Sequence, residues 1–227
     1  MNRQIVPFRH EFKHPISRMD YIELQRRLPN VMKHDSFCGQ DGTYRIRSLY
    51  FDNPYDKAFF EKVDGINQRE KFRIRFYNGD VRFMRLEKKS KINGLCAKQS
   101  VRISAEDCQK ILQGDYEFLK QADHALLKEF YFKLTTQLLR PKNIVDYCRE
   151  AYLYPAGNVR ITVDLDIRGS MCCADFLQEE LCSICVEPSI ILEVKYDAYL
   201  PSVILDIIRL QNRKVSAFSK YAAARIF

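Results

Sequence analysis

No run in this sequence approaches the ~20 consecutive apolar residues that a membrane-spanning helix needs, and residues 1–13 are too polar for a secretory signal. The expected location is the cytoplasm. No tract rich in Pro, Gly or Ser and no repeat interrupts the chain, so residues 1–227 read as one domain. Zinc spacing is missing too. Of eight cysteines, the local cluster Cys172, Cys173, Cys182 and Cys185 matches no common zinc pattern and has no histidine beside it, so reduced, partly buried thiols are expected. The four histidines, His10, His14, His34 and His124, read as surface or packing residues.

What the sequence does have is positive charge, unevenly placed. Thirty-seven Lys and Arg against 29 Asp and Glu leave +8, while 46% hydrophobic content suffices for a core. Residues 69–102 hold eleven basic and three acidic residues, an excess equal to that of the whole chain. Such a field attracts anions: nucleic acid, an acidic membrane surface or a phosphorylated small molecule.

The basic stretches alternate with period two, which predicts strands at 9–13, 44–51, 71–77, 83–91, 159–168 and 189–197, with shorter ones at 97–102 and 145–152. Helices are predicted after Ser17 and Ser104, each followed by acids as in a capping box, and over 123–139 and 201–211, where Pro201 lies near the first turn. Many strands with helices to one side imply an antiparallel α+β domain. Lys71, Arg73 and Arg75 share one strand face and Phe72, Ile74 and Phe76 the other; Arg45 with Arg47, Arg9 with Glu11 and Lys13, and Arg85 with Glu87, Lys89 and Lys91 repeat the device. Like charges ~7 Å apart on a strand repel by roughly 2.4 kcal/mol at an effective dielectric near 20. Inside a closed barrel that repulsion is not screened, so a basic lumen would favour a polyanion.

Seven segments, in order, resemble the VTC-type polyphosphate polymerase domain, a branch of the triphosphate-tunnel (CYTH-like) enzymes. They are "FRHEFKHPIS" (8–17), the stretch from "YRIRSLYFDN" to "KFRIRFYNGD" (44–80), "RLEKKSKINGLCAK" (85–98), "YCREAY" (147–152), "VRITVDLDIR" (159–168), "ILEVKYD" (191–197) and "AFSKY" (217–221). The resemblance implies an eight-stranded antiparallel β-barrel tunnel with a basic interior, flanked by amphipathic helices, in a stand-alone bacterial-type form. It implies ATP and inorganic polyphosphate as ligands and Mn²⁺ or Mg²⁺ as cofactor. By matching position it implies catalytic roles for Lys13, Arg73, Arg75, Lys89 and Lys220, and substrate contacts from Lys98, Arg149, Arg160 and Ser219. Arg9, Arg45 and Arg47 join the substrate contacts on the charged strands. Glu193 matches the family's metal carboxylate, with Glu11, Glu87 and Asp164 as further choices.

Two departures bear on activity. Arg9 stands where related triphosphatases carry the first Glu of a Glu-x-Glu-x-Lys face, which argues against simple triphosphate hydrolysis, and Ala217 stands where eukaryotic relatives carry a further lysine. The phosphate-sensing and membrane-spanning segments of the fungal complexes have no counterpart here, which leaves open action free in the cytoplasm or on a membrane-protein partner. Three functions remain: a polymerase, a triphosphate or polyphosphate hydrolase, and a polyanion-binding module. Nucleic acid is disfavoured because Phe72 and Phe76 lie opposite the charged face, leaving Tyr77 alone to stack.

Overall fold

A computed structural model describes residues 8–210 and 218–226. Ala217 and Gln211, the end of the last long predicted helix, lie outside the described residues. In chain order come β1 (His10–Pro15), α1 (Arg18–Arg27), β2 (Lys33–His34), β3 (Thr43–Asp52), α2 (Lys57–Val63), β4 (Arg69–Tyr77), β5 (Asp80–Ile92) and β6 (Leu95–Ile103). Then follow α3 (Ala105–Gln113), α4 (Glu117–Lys120), α5 (Ala125–Thr136), β7 (Arg140–Tyr154), β8 (Val159–Ser170), β9 (Ile184–Cys185), β10 (Ile191–Tyr196), α6 (Ser202–Ile208) and α7 (Lys220–Ala223). No helix among the described residues is long and apolar enough to cross a membrane.

Every strand pairing is antiparallel, and eight strands run in the order β1-β10-β8-β7-β3-β4-β5-β6. All eight correspond to the predicted strands. The sheet curls until its two edge strands meet: Arg9, just before β1, exchanges backbone hydrogen bonds of 3.0 and 3.1 Å with Cys96 of β6. Two of the connections are Asn-Gly turns, Asn78-Gly79 and Asn93-Gly94, in which all four residues have φ between 49° and 82°. Positive φ at both central positions gives a turn whose twist matches that of the flanking strands.

Helices cover the outside of this curled sheet. Phe72, Ile74, Phe76, Met84 and Leu86 point outward and pack on Ile111 of α3 and Leu126, Phe130 and Leu134 of α5. Ile161, Val163, Leu192 and Val194 do the same beneath α1 and α6, through Tyr21, Leu24 and Ile204. Each such fully buried side chain contributes about 1.5–3 kcal/mol. Because the apolar face is thus outside, the alternate, charged face is turned inward.

Ser17 and Ser104 cap α1 and α3 with reciprocal boxes to Asp20 and Asp107, as their spacing predicts. Pro201 stands at the N-cap of α6, immediately before its first turn. The four-residue α7 closes one end of the barrel. Asn143 donates to the carbonyls of Tyr221 and Ala224 at 3.2 and 3.0 Å, the Tyr221 hydroxyl donates to Asp52 at 2.5 Å, and Arg225 forms a two-pronged pair with Asp56.

Candidate functional site

The register decides which charges meet. On β4, Arg73 lies opposite Tyr50 of β3 and Glu87 of β5; Arg75 lies opposite Ser48 and Arg85; Lys71 lies opposite Lys89. Across the barrel, Lys13 faces Glu193, and Arg149 faces both Tyr44 and Asp164. The inward side chains of these strands enclose a cavity of about 360 Å³ lined by eleven Lys and Arg but two Glu. A second cavity of about 90 Å³ continues it toward α2, sharing Glu11, Lys13, Lys71, Lys89, Cys96 and Ser219 and adding Lys62, Arg69 and Lys91 with one carboxylate, Glu70.

One end is open. The side chains of Lys98 and Arg160 are 53% and 32% exposed there, whereas Lys220 and Ser219 at the α7 end are buried. Arg9 sits at the open rim, paired with Asp197 at 2.8 Å, and Arg160 is held by Asp35 at 2.6 Å and donates to the Tyr44 hydroxyl at 3.0 Å.

Three buried carboxylates and the half-buried Glu11 hold the cations in place. Glu87 accepts from Arg73 at 2.8 Å on one oxygen and from Lys98 at 2.9 Å on the other. Asp164 takes a bidentate grip from Arg149 at 2.6 and 2.9 Å and also binds the Lys220 ammonium. Glu11 bridges Lys13 at 3.2 Å and Lys89 at 2.7 Å, and Glu193 pairs with Lys195 and lies 4.0 Å from Arg149. Burial alone would raise these carboxyl pKa values, but the cations prevail and hold all four below the ordinary range: Lys13 leading at Glu11, Arg73 at Glu87, Arg149 at Asp164 and Lys195 at Glu193. Burial would likewise push Lys13 down, yet Glu11 and Glu193 raise it, so it stays charged.

Lys71 is different. It donates to the Ser219 hydroxyl at 3.2 Å, and its ammonium lies 5.5 Å from the centre of the Tyr50 ring. Burial depresses its pKa to about 7, and the like charges of Lys89, Lys13 and Arg73 add to the fall. The Tyr50 phenol accepts from Arg73 at 3.0 Å; burial pushes it up, but Arg73, Lys71 and Arg75 bring it down to about 7. Tyr147 accepts from Arg75 at 3.0 Å and is pushed up to about 12 by burial.

Of the residues singled out from the sequence, Arg9, Glu11, Lys13, Arg73, Arg75, Lys89, Lys98, Arg149, Arg160, Glu193, Ser219 and Lys220 line the main cavity. Glu87 and Asp164 stand behind that lining, bonded to it. Arg45 and Arg47 are a correction. Residues paired directly across two strands share a face, so inward Arg73 and Arg75 bring Tyr50 and Ser48 inward and send the residues of opposite parity out. Both arginines instead grip Asp146 on the outer side, at 2.8 and 2.9 Å, and Arg47 also donates to the carbonyls of Phe176, Gln178 and Glu179.

The same parity shows what the sequence reading missed. Tyr44, Tyr50, Tyr147 and Lys195 are lumen residues, and Lys71, placed on the charged face of its strand but given no role in the site, lines the lumen too. The cue was available: Tyr44, Ile46, Ser48 and Tyr50 alternate with Arg45 and Arg47 along β3, so a pair of outward arginines turns both tyrosines inward. The cysteines are free thiols, and among the described residues no group of three or more His, Cys, Asp or Glu is placed to hold a metal.

A family model described as the VTC domain matches residues 8–226. No curated protein matches the chain. Among solved structures, the PH1012 protein of Pyrococcus horikoshii OT3 is 12% identical with a TM-score of 0.49, over 95% of this chain and 98% of that one. The capping enzyme triphosphatase of Mimivirus is 11% identical with a TM-score of 0.41, over 91% of each chain.

Proposed function

We infer the function from a premise that the match over residues 8–226 establishes: the chain belongs to the VTC domain family. Membership supports phosphoryl-transfer chemistry on triphosphates or polyphosphate. The finer reading is a polymerase that moves the terminal phosphoryl group of ATP onto a growing inorganic polyphosphate chain. The observation that carries it is the length of the basic lumen. Eleven cations around the main cavity and three more around its continuation outnumber the lining Glu11, Glu193 and Glu70 and the carboxylates bonded to the lining, Glu87, Asp164, Asp35 and Asp197, and the excess of seven is more than the charge of one triphosphate.

In this reading an anionic oxygen at the chain end attacks the γ-phosphorus, the bond from that phosphorus to the β-bridging oxygen breaks, and ADP leaves. The attacking oxygen carries no proton, so no base is required. The protein supplies position and charge. Arg73 and Arg75 present guanidinium forks aimed by Glu87, Tyr50 and Tyr147, and such forks suit bidentate contact with phosphate oxygens. Lys13, Lys89 and Lys220 act as point charges around the transferring group, with Lys98, Arg149, Arg160 and Ser219 as further phosphate contacts. Arg9, tied to Asp197 at the rim, brings no carboxylate for a hydrolytic site.

The donor set fits Mn²⁺ or Mg²⁺. Glu193 and Glu11 would hold it: both face the lumen, and the Thr162 hydroxyl, opposite Glu193 in the sheet, is buried without a hydrogen-bond partner. Two carboxylates with substrate phosphates completing the shell is the usual way a protein holds Mg²⁺. When bound, the ion would neutralise charge developing on phosphate oxygens. Glu87 and Asp164 stand behind the lumen lining, bonded to its Arg and Lys, which favours an anchoring role for them.

Incubation of the purified protein with ATP and Mn²⁺ tests this. The expected products are ADP and acid-stable chains that an exopolyphosphatase degrades, with little free phosphate. Stoichiometric free phosphate without chains would make the protein a hydrolase. Tight polyphosphate binding with no ADP at any metal would leave a binding module.

A further inference from the structure

Arg75, Arg85 and Arg102 form a row across β4, β5 and β6, each directly opposite the next. Directly opposed residues share a sheet face, so all three lie on the face that lines the lumen. Arg75 is buried, whereas Arg85 and Arg102 are exposed, so the row leaves the barrel at the open end. Phe83 precedes Arg85 by two residues, where the register of β5 against β4 shifts, and its contact with Arg102 sets it beside this row. Met84 between them is fully buried in the outer core, and Phe83 is 57% exposed. The guanidinium of Arg102 lies 4.9 Å from the centre of its ring and that of Arg82 lies 6.0 Å away. Asp80 holds Arg82 at 2.9 Å, and Arg102 donates to the Arg82 carbonyl at 3.0 Å, so the ring sits on a braced support.

An exposed aromatic ring flanked by arginines, beside two like charges set opposite each other, offers stacking to a flat ring and attraction to an anion. From Glu87, which aims Arg73, to Phe83 is four residues of strand, about 13 Å. An extended triphosphate and its ribose span such a length. We propose that Phe83, with Arg85 and Arg102, is the platform on which the base of a nucleoside triphosphate stacks while its phosphates occupy the lumen. The proposal rests on the triphosphate reading above and deepens it: the phosphates are gripped inside, and the nucleoside is read at the rim. Stacking discriminates little between bases, so nucleoside triphosphates as a class are expected rather than ATP alone.

Equilibrium binding of ATP and of inorganic tripolyphosphate, to wild type, Phe83→Ala and Phe83→Trp, tests it. Cutting a stacking aromatic to alanine weakens base binding by roughly five- to 150-fold. The expected result is about a tenfold loss for ATP with Phe83→Ala, no change beyond twofold for tripolyphosphate, and full ATP affinity with Phe83→Trp. ATP affinity unchanged in Phe83→Ala, or equal losses for both ligands, overturns the platform while leaving the lumen reading intact. A wild type that binds neither ligand overturns the lumen reading, and the platform with it.

Discussion

Raising the pH through neutrality should loosen the grip of the lumen on ATP, through Lys71 and Tyr50. Both have pKa values brought to about 7, and they lie together in a space where further cations crowd them. As a pair they give up a first proton near pH 7. A polyanion in the lumen favours the more positive state, so above pH 7 binding must take that proton back. Each pH unit then costs about 1.36 kcal/mol, a factor of ten. Between pH 7.5 and 9 the affinity should fall about 25-fold. Calorimetry in two buffers of different ionisation enthalpy would read this directly, as uptake of nearly one proton per ATP at pH 8.5. The empty protein carries the opposite slope. From pH 7 to about 10 the unfolded chain holds protons on Lys71 and Tyr50 that the folded state has lost, so its melting temperature should rise across that window. Lys71→Arg combined with Tyr50→Phe should flatten both effects. A constant ATP affinity from pH 7.5 to 9 in the wild type, with no proton uptake, would refute the reasoning.

Glu193→Gln should keep ATP binding within about twofold but lose more than tenfold of Mn²⁺-stimulated turnover; an unaltered Mn²⁺ titration would transfer the metal role to Glu11. Glu87→Gln leaves Arg73, Arg75 and Lys98 without their shared carboxylate and should cost about 3–5 kcal/mol in denaturant unfolding. Because the folded-state pKa of Glu87 is depressed, its stabilisation is full above about pH 4.5 and fades as the pH falls further, so wild type and variant should converge in strong acid. Arg47→Ala should destabilise the fold by about 3 kcal/mol through the buried Asp146 yet leave ATP affinity unchanged. A large drop in affinity there would return Arg47 to the lumen.

Period-two alternation located all eight main strands because each has one apolar and one polar face. It could not say which face was inside. In most barrels the apolar side is internal; here the helices from α3 to α5 and α1 with α6 cover it externally, and the charges turn inward. For β4 the charged face is the lumen face, and for β3 the charged face is the outer one. Arg45 and Arg47 differ from Arg73 and Arg75 in nothing but register, which pairing alone sets. The short helices α2 and α7 escaped notice for a local reason. Asp56 precedes α2 with a positive φ and no capping hydrogen bond, and α7 is four residues long, held by Asn143 and Asp52 from distant strands. Tyr50 and Lys71 were visible as letters, but their proton chemistry arises from burial and from neighbours brought by four strands.

A hoop bent from a strip is no stronger than its clasp. Seven of the eight joins around this sheet are ladders of several backbone bonds, and the eighth is the Arg9–Cys96 pair. What reinforces it is the Glu11–Lys89 contact, which reaches across the same gap from inside. The clasp is therefore made partly of the charges that meet the cargo. A phosphate that draws Lys89 from Glu11 slackens the hoop along one line and leaves the other seven joins whole, so the ring yields at a place fixed by its wiring, and the amides of Arg9 and Cys96 are where that yielding would first be exchanged with solvent.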